Sequence, residues 1–358
     1  MKRIGVVGAG IIGAAIAREL ALAGCKVTVF EAHEPASGTS SRSMGWINAS
    51  FTAREDYYRM RLAAIQSYRE LDTHLNGALG VSWTGSLNWE ASEAEFDAVA
   101  KELGSFGHPV TVVTRAEMAV LEPNLADLPE KALLMQNEGV AEGGHVAKVL
   151  LRAAQAAGAI VLAGAEVTSI DRQPNGIHAV NSAAGRILVD DVVIATGIKT
   201  GEMAEKCGFP LPMKNQPGVL IETTPLPFRL NYTIWSPDVH FKQLADGRAV
   251  CGNLFSGAVG DEGVDGLPER MLERLKQRLP AAAGSLSIEK VRHGIRPMPV
   301  DTYPAIGRLG ADEANSYVAV THSGITLGPL IGRLVAQEIV DGVAHPMLQA
   351  FRPSRFNL

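Results

Sequence analysis

Residues 2–31 read KRIGVVGAGIIGAAIARELALAGCKVTVFE, a short apolar strand, a glycine-rich turn, a helix and a second apolar strand that ends on Glu31. In this pattern Gly8 permits the tight turn, Gly10 lets backbone amides approach a pyrophosphate, and Gly13 lets the helix pack closely on the strand. The helix N-terminus adds partial positive charge toward the phosphates. The order of these pieces predicts a dinucleotide-binding βαβ unit, although glycines alone also occur where only close packing is needed.

The acid at the end of the second strand narrows the choice of dinucleotide. Glu31 follows Gly8 by 23 residues, where a carboxylate accepts hydrogen bonds from a ribose 2′-hydroxyl and repels a 2′-phosphate. The motif therefore favours FAD or NAD over NADP. It does not by itself distinguish FAD from NAD.

Length and composition indicate an ordinary globular protein of two domains, or of one domain with a large insertion, because 358 residues exceed what one core usually serves. The net charge of −5 provides no general reason to bind nucleic acid or an anionic membrane. The longest apolar runs are shorter than a membrane span. The first strand leads straight into the glycine turn, which argues against a cleaved signal peptide. We therefore expect a cytoplasmic protein without a transmembrane segment or a nucleic-acid partner.

The three cysteines, Cys25, Cys207 and Cys251, are widely separated and show no CxxC or Cys/His spacing. This pattern predicts neither a disulfide framework nor a metal site. Three buried, reduced thiols are the expectation.

A polar loop, residues 36–49 (ASGTSSRSMGWINA), follows the second strand. It leaves that strand at the edge where dinucleotide folds bind their ligands, which favours a ligand contact over a merely solvated serine-rich loop. The side chains that could wrap a pyrophosphate or ribityl chain are Thr39, Ser40, Ser41, Arg42 and Ser43. Trp46 and Asn48 come next and are candidates either for the wall of a substrate pocket or for core packing.

Residues 141–205 supply further pieces of a cofactor domain. Their pattern predicts a helix over 144–157, a buried strand over 159–170 and, after two hairpin strands, an apolar strand over 189–195. That strand ends in Ala195-Thr196-Gly197, a small-residue turn that lets the backbone lie against a flat ligand. The cofactor domain is therefore predicted to be discontinuous, with residues 51–140 inserted into it.

From residue 210 the pattern changes to strands, with a hairpin signal at Asp246-Gly247. A mainly antiparallel sheet covered by helices is predicted, with an open face above the cofactor. His240 and Lys242 alternate on one strand and so share a face. They line the substrate pocket or lie on an exposed sheet face.

The last helix begins at HSGITLGP, residues 322–329, after a short strand. One face of this helix is nearly bare of side chains because it carries Gly324, Gly328 and Gly332. The helix N-terminus could point amides at an electron-rich group such as the O2/N1 edge of a flavin, or the glycines could serve close packing alone. His322 precedes this turn, where a contact to cofactor or substrate and a capping role are both open.

Five blocks resemble, in order, those of the FAD-dependent D-amino-acid oxidase superfamily, in which glycine oxidases, sarcosine oxidases and D-amino-acid dehydrogenases have the most similar layout. The blocks are VGAGIIGAAIARELALAGCKVTVFE, SGTSSRSMG, DVVIATG, GIRPMPVDTYPAIGR and HSGITLGPLIGRLVAQEI. The expected fold is α/β, with a discontinuous Rossmann-type FAD-binding domain and a second α+β substrate domain built on a mainly antiparallel sheet. We assign residues 1–50, 141–205 and 295–358 to the first domain, and 51–140 and 206–294 to the second.

The resemblance also implies which residues contact FAD. The positions that match the ADP site are Gly8, Gly10, Ile12, Gly13, Glu31 and Ala32. The positions that match the loop along the pyrophosphate and flavin are Thr39, Ser40, Ser43, Met44 and Gly45. The remaining matches are Val167 beside adenine, Ala195 and Gly197 in the turn beside the cofactor, and Gly324, Ile325, Thr326 and Leu327 beside the flavin pyrimidine.

Arg296, in the block GIRP, matches the arginine that binds the substrate carboxylate in glycine-oxidase-like members, while a structural ion pair is the alternative. The positions that carry covalent flavin links in the family match Gly294 and Arg42, so non-covalent FAD is expected. A carboxylate-binding tyrosine of glycine oxidase falls near His240, and a lysine of sarcosine oxidases falls at Thr326. The resemblance therefore does not predict which substrate this protein oxidises or whether its reduced flavin reacts with oxygen.

The implied reaction is oxidation of the C–N bond of an amino acid or secondary amino acid to the imine by hydride transfer to flavin N5, with hydrolysis to the oxo acid. The candidate catalytic and substrate-binding residues are Arg296, His240, His322, Trp46 and Asn48. Electrons would pass to O2, or to an acceptor protein or quinone, in which case the enzyme is expected peripherally at the inner membrane. The alternative is a flavin-binding subunit of a multi-subunit amine or imino-acid dehydrogenase that needs a partner for activity.

Overall fold

The structure, a computed structural model, describes residues 1–253, 265–310 and 315–356. Its central element is a sheet built around the first strand. In spatial order its strands are Ala305–Arg308, Ser316–Val320, Asp191–Ile194, Arg3–Val7, Lys26–Phe30 and Ile160–Leu162. All neighbouring strands are parallel except the outer pair Ala305–Arg308 and Ser316–Val320.

Apolar side chains fill both faces of this sheet, as a parallel sheet requires. One face packs on a layer of helices, Ile11–Leu22, Glu55–His74, Gly143–Ala156 and Gly324–Asp341. The opposite face packs on the helix Thr200–Lys206 and on a small antiparallel sheet whose strands are Val167–Arg172, His178–Ser182 and Gly185–Val189. The predicted α/β fold with a Rossmann-type unit is confirmed.

A second large sheet supplies the other half of the fold. In spatial order its strands are Ile288–Pro299, Met213–Pro225, Arg248–Gly252, His240–Gln243, Thr233–Trp235, Ser86–Asn88, Lys131–Met135 and Thr111–Thr114. Neighbours are antiparallel except Thr233–Trp235 and Ser86–Asn88. The helix Leu267–Arg278 packs on one face through a separate apolar core, so the predicted mainly antiparallel sheet is confirmed.

The remaining elements are short. They are the helices Glu93–Ser105 and Arg115–Leu121, the strand pair Trp46–Ile47 and Gly139–Val140, and the 3-10 turns Thr39–Arg42, Gly197–Lys199, Pro346–Phe351 and Pro353–Phe356. The strand pair joins the loop after the second strand to the start of the helix Gly143–Ala156.

Two expectations about local structure were wrong. The predicted buried strand over 159–170 is two strands in different sheets, because Gly164 turns the chain with a φ of +69°; the first is an edge strand with Ile160 59% exposed. Only Cys251 is buried, whereas Cys25 and Cys207 are half-buried because each lies in the turn that follows a helix.

The helix Glu55–His74 packs in the same core as Ile11–Leu22 and Gly324–Asp341, although it lies in the stretch 51–140. Its buried aromatic residues, Tyr57, Tyr58 and Tyr68, therefore stabilise the layer that covers the parallel sheet. The division of the chain into domains stays a prediction.

Candidate cofactor and substrate site

A cavity of about 680 Å³ lies where the glycine turn, the loop after the second strand and the start of the helix Gly324–Asp341 meet the strands Met213–Pro225 and Ile288–Pro299. This volume falls within the range of about 300–1,000 Å³ that is typical of ligand sites. The carboxyl edge of the parallel strands is also where dinucleotide folds bind their ligands.

The glycines of the first turn have different structural roles. Gly8 has a φ of +105°, and a Cβ there would overlap the carbonyl oxygen of Ala195. A Cβ on Gly13 would overlap the carbonyl oxygen of Gly8, so both glycines allow close approach within the protein. Among the described residues, a Cβ on Gly10 would meet only the Ser40 hydroxyl, at 3.2 Å. Gly10 is therefore the glycine that leaves room for a ligand.

Glu31 lines the cavity with an oriented carboxylate. Its Oε2 accepts a hydrogen bond from the amide of Ala9 at 2.8 Å, and its Oε1 accepts one from the amide of His33 at 3.0 Å. Each carboxylate oxygen has a second lone pair. The oriented carboxylate can therefore still accept a hydrogen bond from a ribose hydroxyl.

Most of the predicted cofactor residues line the cavity. They are Gly8, Gly10, Ile12, Glu31, Ala32, Thr39, Ser40, Arg42, Ser43, Val167, Ala195, Gly197, Gly324 and Ile325. Some of them also tie the loop to the roof: the Thr39 hydroxyl donates to the carbonyl of Ile295 at 2.8 Å, and Arg42 Nη1 donates to the carbonyl of His293 at 3.2 Å. The Ser40 hydroxyl accepts from the amide of Ile11 at 3.0 Å and so caps the first helix.

The other predicted cofactor residues lie behind the cavity wall. They are Gly13, Ser41, Met44, Gly45, Thr326 and Leu327. Met44 packs under the antiparallel sheet, Leu327 lies in the helical core, and the Ser41 hydroxyl donates to the carbonyl of Ala36 at 2.6 Å. Direct contact of these residues with FAD stays a prediction.

The roof of the cavity contains Gly218 and His293, which the sequence analysis did not single out, and Gly294, which it named only as the match of a covalent flavin-link position. Gly218 and Gly294 are opposite each other on adjacent antiparallel strands, and both line the cavity together with His293. Two facing glycines leave a flat backbone surface that can lie against a planar ring. The signal that could have found them is a glycine inside an otherwise apolar strand, which marks a close backbone approach.

The structure brings together three of the predicted substrate-binding residues. Arg296 projects from the strand Ile288–Pro299, and among the described residues its Nη1 has no hydrogen-bond partner. Burial lowers the pKa of Arg296 to about 10, so the guanidinium stays protonated at neutral pH. Burial, with Arg296 nearby, lowers the pKa of His240 to about 3, and desolvation by the surrounding protein, with Arg296 and Arg61 nearby, does the same for His322. The site therefore holds the half-buried cation Arg296 near two neutral imidazoles, of which His240 is buried and His322 is exposed.

Aromatic rings form a wall beside these residues. Trp46 and Trp235 meet edge to face with ring centroids 4.3 Å apart, and the ring of His240 lies 4.1 Å from that of Trp235. Phe51 lies 5.8 Å from Trp46 on its other side. Trp46 packs in a small core with Val140 and Trp235, as the core-packing interpretation expects, and its part in the wall of a substrate pocket stays a prediction.

Asn48 is held from behind. Arg61 donates to both the backbone carbonyl and the side-chain oxygen of Asn48. The Thr326 hydroxyl accepts from the backbone amide of Asn48 at 3.4 Å. Its side chain is therefore already engaged, and its part in substrate binding stays a prediction. The exposed-face interpretation of His240 and Lys242 was wrong, because each is only 2% exposed.

Within the described ranges, none of the helices combines the length and apolar character needed to cross a bilayer. In the same residues no group of histidine, cysteine and carboxylate side chains could hold a metal ion.

Known proteins are similar to this chain along almost its whole length. A glycine oxidase of Bacillus licheniformis is 26% identical over 98% of this chain and 96% of its own length. The crystal structure of glycine oxidase from Geobacillus kaustophilus matches with a TM-score of 0.87 and 25% identity, covering 99% of both chains. The crystal structure of L-proline dehydrogenase from P. horikoshii has the same TM-score at 24% identity over 99% of both chains, and so has the same fold. The model of the FAD-dependent oxidoreductase family DAO matches residues 3–338, and the chain therefore belongs to that family.

Proposed function

We propose that the protein oxidises the C–N bond of an amino acid or secondary amino acid to the imine, which water then hydrolyses to the oxo acid. Bound FAD supplies the hydride acceptor, flavin N5. The similarity to glycine oxidases along the whole chain supports an amino acid as the substrate.

The observation that carries this proposal is the buried Nη1 of the half-buried Arg296, which has no hydrogen-bond partner among the described residues. A buried cation without a hydrogen-bond partner is costly, and a carboxylate can satisfy two of its N–H groups at once. Arg296 lies on the strand whose Gly294 lines the cofactor cavity, two residues away. A carboxylate bound to Arg296 therefore places its α-carbon near the flat surface of the cavity roof.

The neighbouring residues orient and shield this substrate. His240 and His322 stay neutral at physiological pH, so they add no positive charge that would repel the substrate amine. The rings of Trp46 and Trp235 are buried and exclude water from the reacting carbon. Orientation and exclusion of water are the main demands of this reaction, because hydride transfer needs little acid-base help from the protein.

We also propose the assignment of the cofactor contacts and domains. The glycine turn, Glu31 and Val167 would hold the adenosine end of FAD, and Gly294 and Gly324 would hold the flavin end. Residues 1–50, 141–205 and 295–358 then bind the cofactor, and 51–140 and 206–294 carry the substrate sheet. The support is that residues from each of the three cofactor segments line one cavity.

Anaerobic flavin reduction tests the proposal. The FAD-loaded chain is mixed with D- and L-amino acids, N-methyl amino acids and cyclic imino acids, and bleaching of the flavin is followed. We expect at least one compound to reduce it, and Arg296→Leu to lower kcat/KM for that compound by about 30-fold or more, since losing one partner of a buried charge pair costs about 2–5 kcal/mol. Arg296→Lys keeps the positive charge but lacks the planar guanidinium that binds a carboxylate through two N–H groups. Arg115→Leu, which removes an exposed ion pair with Glu130, is the control.

The outcomes separate the alternatives. An unchanged kcat/KM in Arg296→Leu would remove the carboxylate-binding role. Reduction in the absence of oxygen, followed by reoxidation with O2 or only with an artificial acceptor, distinguishes an oxidase from a dehydrogenase. A yellow protein that no substrate reduces would favour a subunit that requires a partner.

A further inference from the structure

The last helix begins beside the substrate site with an unusual hydrogen-bond arrangement. Ser323 stands at the N-cap of the helix Gly324–Asp341, but its hydroxyl makes no capping bond to the helix amides. Instead, Ser323 Oγ lies 3.3 Å from Nδ1 of His322 and accepts the hydroxyl of Tyr57 at 2.8 Å. Tyr57 lies in the helix Glu55–His74, so the contact joins residues 266 positions apart.

We propose that Tyr57 is a positioning residue that acts through Ser323 to hold His322 in the tautomer with its proton on Nε2. This inference rests on the proposed function, because it assigns a substrate-binding role to His322. In that role the Nε2–H of His322 is a second donor to the carboxylate that Arg296 binds.

The direction of the hydrogen bonds follows from their chemistry. A phenol is a stronger donor than an aliphatic hydroxyl, so Tyr57 donates to Ser323. The Ser323 proton is then free for the nearest acceptor, Nδ1 of His322. A neutral imidazole has one N–H and one bare nitrogen, so a bare Nδ1 requires the proton to be on Nε2.

Packing keeps Tyr57 in place. Its side chain is 5% exposed, and its ring meets those of Tyr303 and Phe351 edge to face, with centroids 5.4 and 5.8 Å away. The packed ring therefore holds the Tyr57 hydroxyl in the position where it donates to Ser323. His322 itself lines the cofactor cavity, and with Nδ1 bound to Ser323 its other nitrogen is left for the ligand.

The surroundings of His322 favour a hydrogen-bond donor over a proton acceptor. His322 is exposed and lines the cavity, where desolvation by the surrounding protein and the charges of Arg296 and Arg61 lower its pKa to about 3, so the ring is neutral at neutral pH. A neutral ring in the Nε2–H tautomer can only donate toward the cavity. An anionic or electron-rich group fits that position, and the carboxylate that Arg296 attracts is such a group.

Variants of the three residues test the arrangement kinetically. We expect Tyr57→Phe and Ser323→Ala each to lower kcat/KM about tenfold, as the loss of an oriented hydrogen bond to a charged group predicts. FAD affinity should stay within about twofold in the same variants. Tyr68→Phe is the matched control, because Tyr68 lies on the same helix and its buried hydroxyl has no hydrogen-bond partner among the described residues.

A double-variant experiment shows whether Tyr57 acts through His322 or affects the structure in general. In a His322→Asn background, Tyr57→Phe should lower kcat/KM by less than about twofold further, because residues that act through one another are not additive. A full additional tenfold loss in that background would overturn the proposal.

A second measurement does not depend on substrate turnover. Imidazole 15N shifts of the FAD-loaded protein, with His322 assigned through His322→Asn, should show the Nε2–H tautomer in the wild type and a mixture in Tyr57→Phe. A wild-type Nδ1–H tautomer, or an unchanged ring in Tyr57→Phe, would disprove the arrangement. The expected shifts in a protein whose flavin no amino acid reduces would leave the arrangement intact and refute the proposed function.

Discussion

Gly294 and Arg42 face each other in the cofactor cavity: a Cβ on Gly294 would lie 3.3 Å from the Cβ of Arg42. These two positions match those that carry covalent flavin links in members of the family, and the fold brings them to the same place. Neither can form such a link, because glycine has no side chain and a guanidinium is protonated and not nucleophilic at neutral pH.

We therefore expect FAD to be released when the protein is unfolded. Acid precipitation of the yellow protein should leave the flavin in the supernatant and the polypeptide at the mass of the unmodified chain. Flavin that stays with the precipitate, or a mass increase equal to that of FAD, would contradict this.

The two glycines of the first helix turn should respond differently to substitution. Gly13→Ala places a Cβ on the carbonyl oxygen of Gly8, so the apoprotein should lose about 1–3 kcal/mol of unfolding free energy. Gly10→Ala meets only the Ser40 hydroxyl at 3.2 Å, so the apoprotein should be nearly as stable as wild type while FAD binds about tenfold or more weakly. Chemical denaturation and fluorescence titration measure the two effects. Equal loss of stability in both variants would show that Gly10 does not face the ligand.

Lys242 and Glu142 connect the antiparallel sheet to the cofactor loop. The buried ammonium of Lys242 lies 2.6 Å from Glu142 Oε1 and also donates to the carbonyl of Ala141, whose amide pairs with Gly45. Arg292 approaches the other carboxylate oxygen of Glu142 at 3.4 Å. Glu142 is therefore the acceptor shared by two cations beside the loop.

Glu142→Gln should lower the unfolding free energy by about 1.5–3 kcal/mol, because hydrogen bonds to charged groups are lost and Lys242 stays buried. Glu130→Gln breaks the exposed pair with Arg115 and should cost at most about 1 kcal/mol. Denaturant unfolding at one pH compares the variants. Similar losses in the two would mean that Glu142 contributes no more than a surface charge.

The buried imidazole of His240 should make stability depend on pH. Its pKa is lowered to about 3 by burial and by Arg296, whereas an unfolded histidine titrates near 6.5. Between these values the unfolded chain binds more protons, so stability is complete above about pH 6.5 and falls as pH decreases.

His240→Phe keeps an apolar ring against Trp235 and removes the titration. Between pH 6.5 and 5.0 the variant should lose about 2 kcal/mol less stability than wild type, at about 1.4 kcal/mol per pH unit. Denaturation midpoints at several pH values measure the difference. Parallel pH profiles for the two proteins would show that His240 is already protonated in the folded state.

Patterns that are local in the chain could be predicted from the sequence. The first strand, the glycine turn, the helix and the second strand were predicted correctly because turn geometry and apolar periodicity act over a few residues. The prediction over residues 159–170 failed where one residue, Gly164, turned an apolar run out of its sheet. The facing pair Gly218 and Gly294 was missed because strand register is set by the partner strand.

The sequence by itself determined the dinucleotide-binding unit, the antiparallel second sheet and the family, since each is written in consecutive residues. Only the tertiary structure decided that Arg296 lies beside His240 and His322, and that Tyr57 reaches Ser323 from a distant helix. Such contacts depend on how sheets and helices pack, and side chains far apart in sequence carry no local signal of their distance in space.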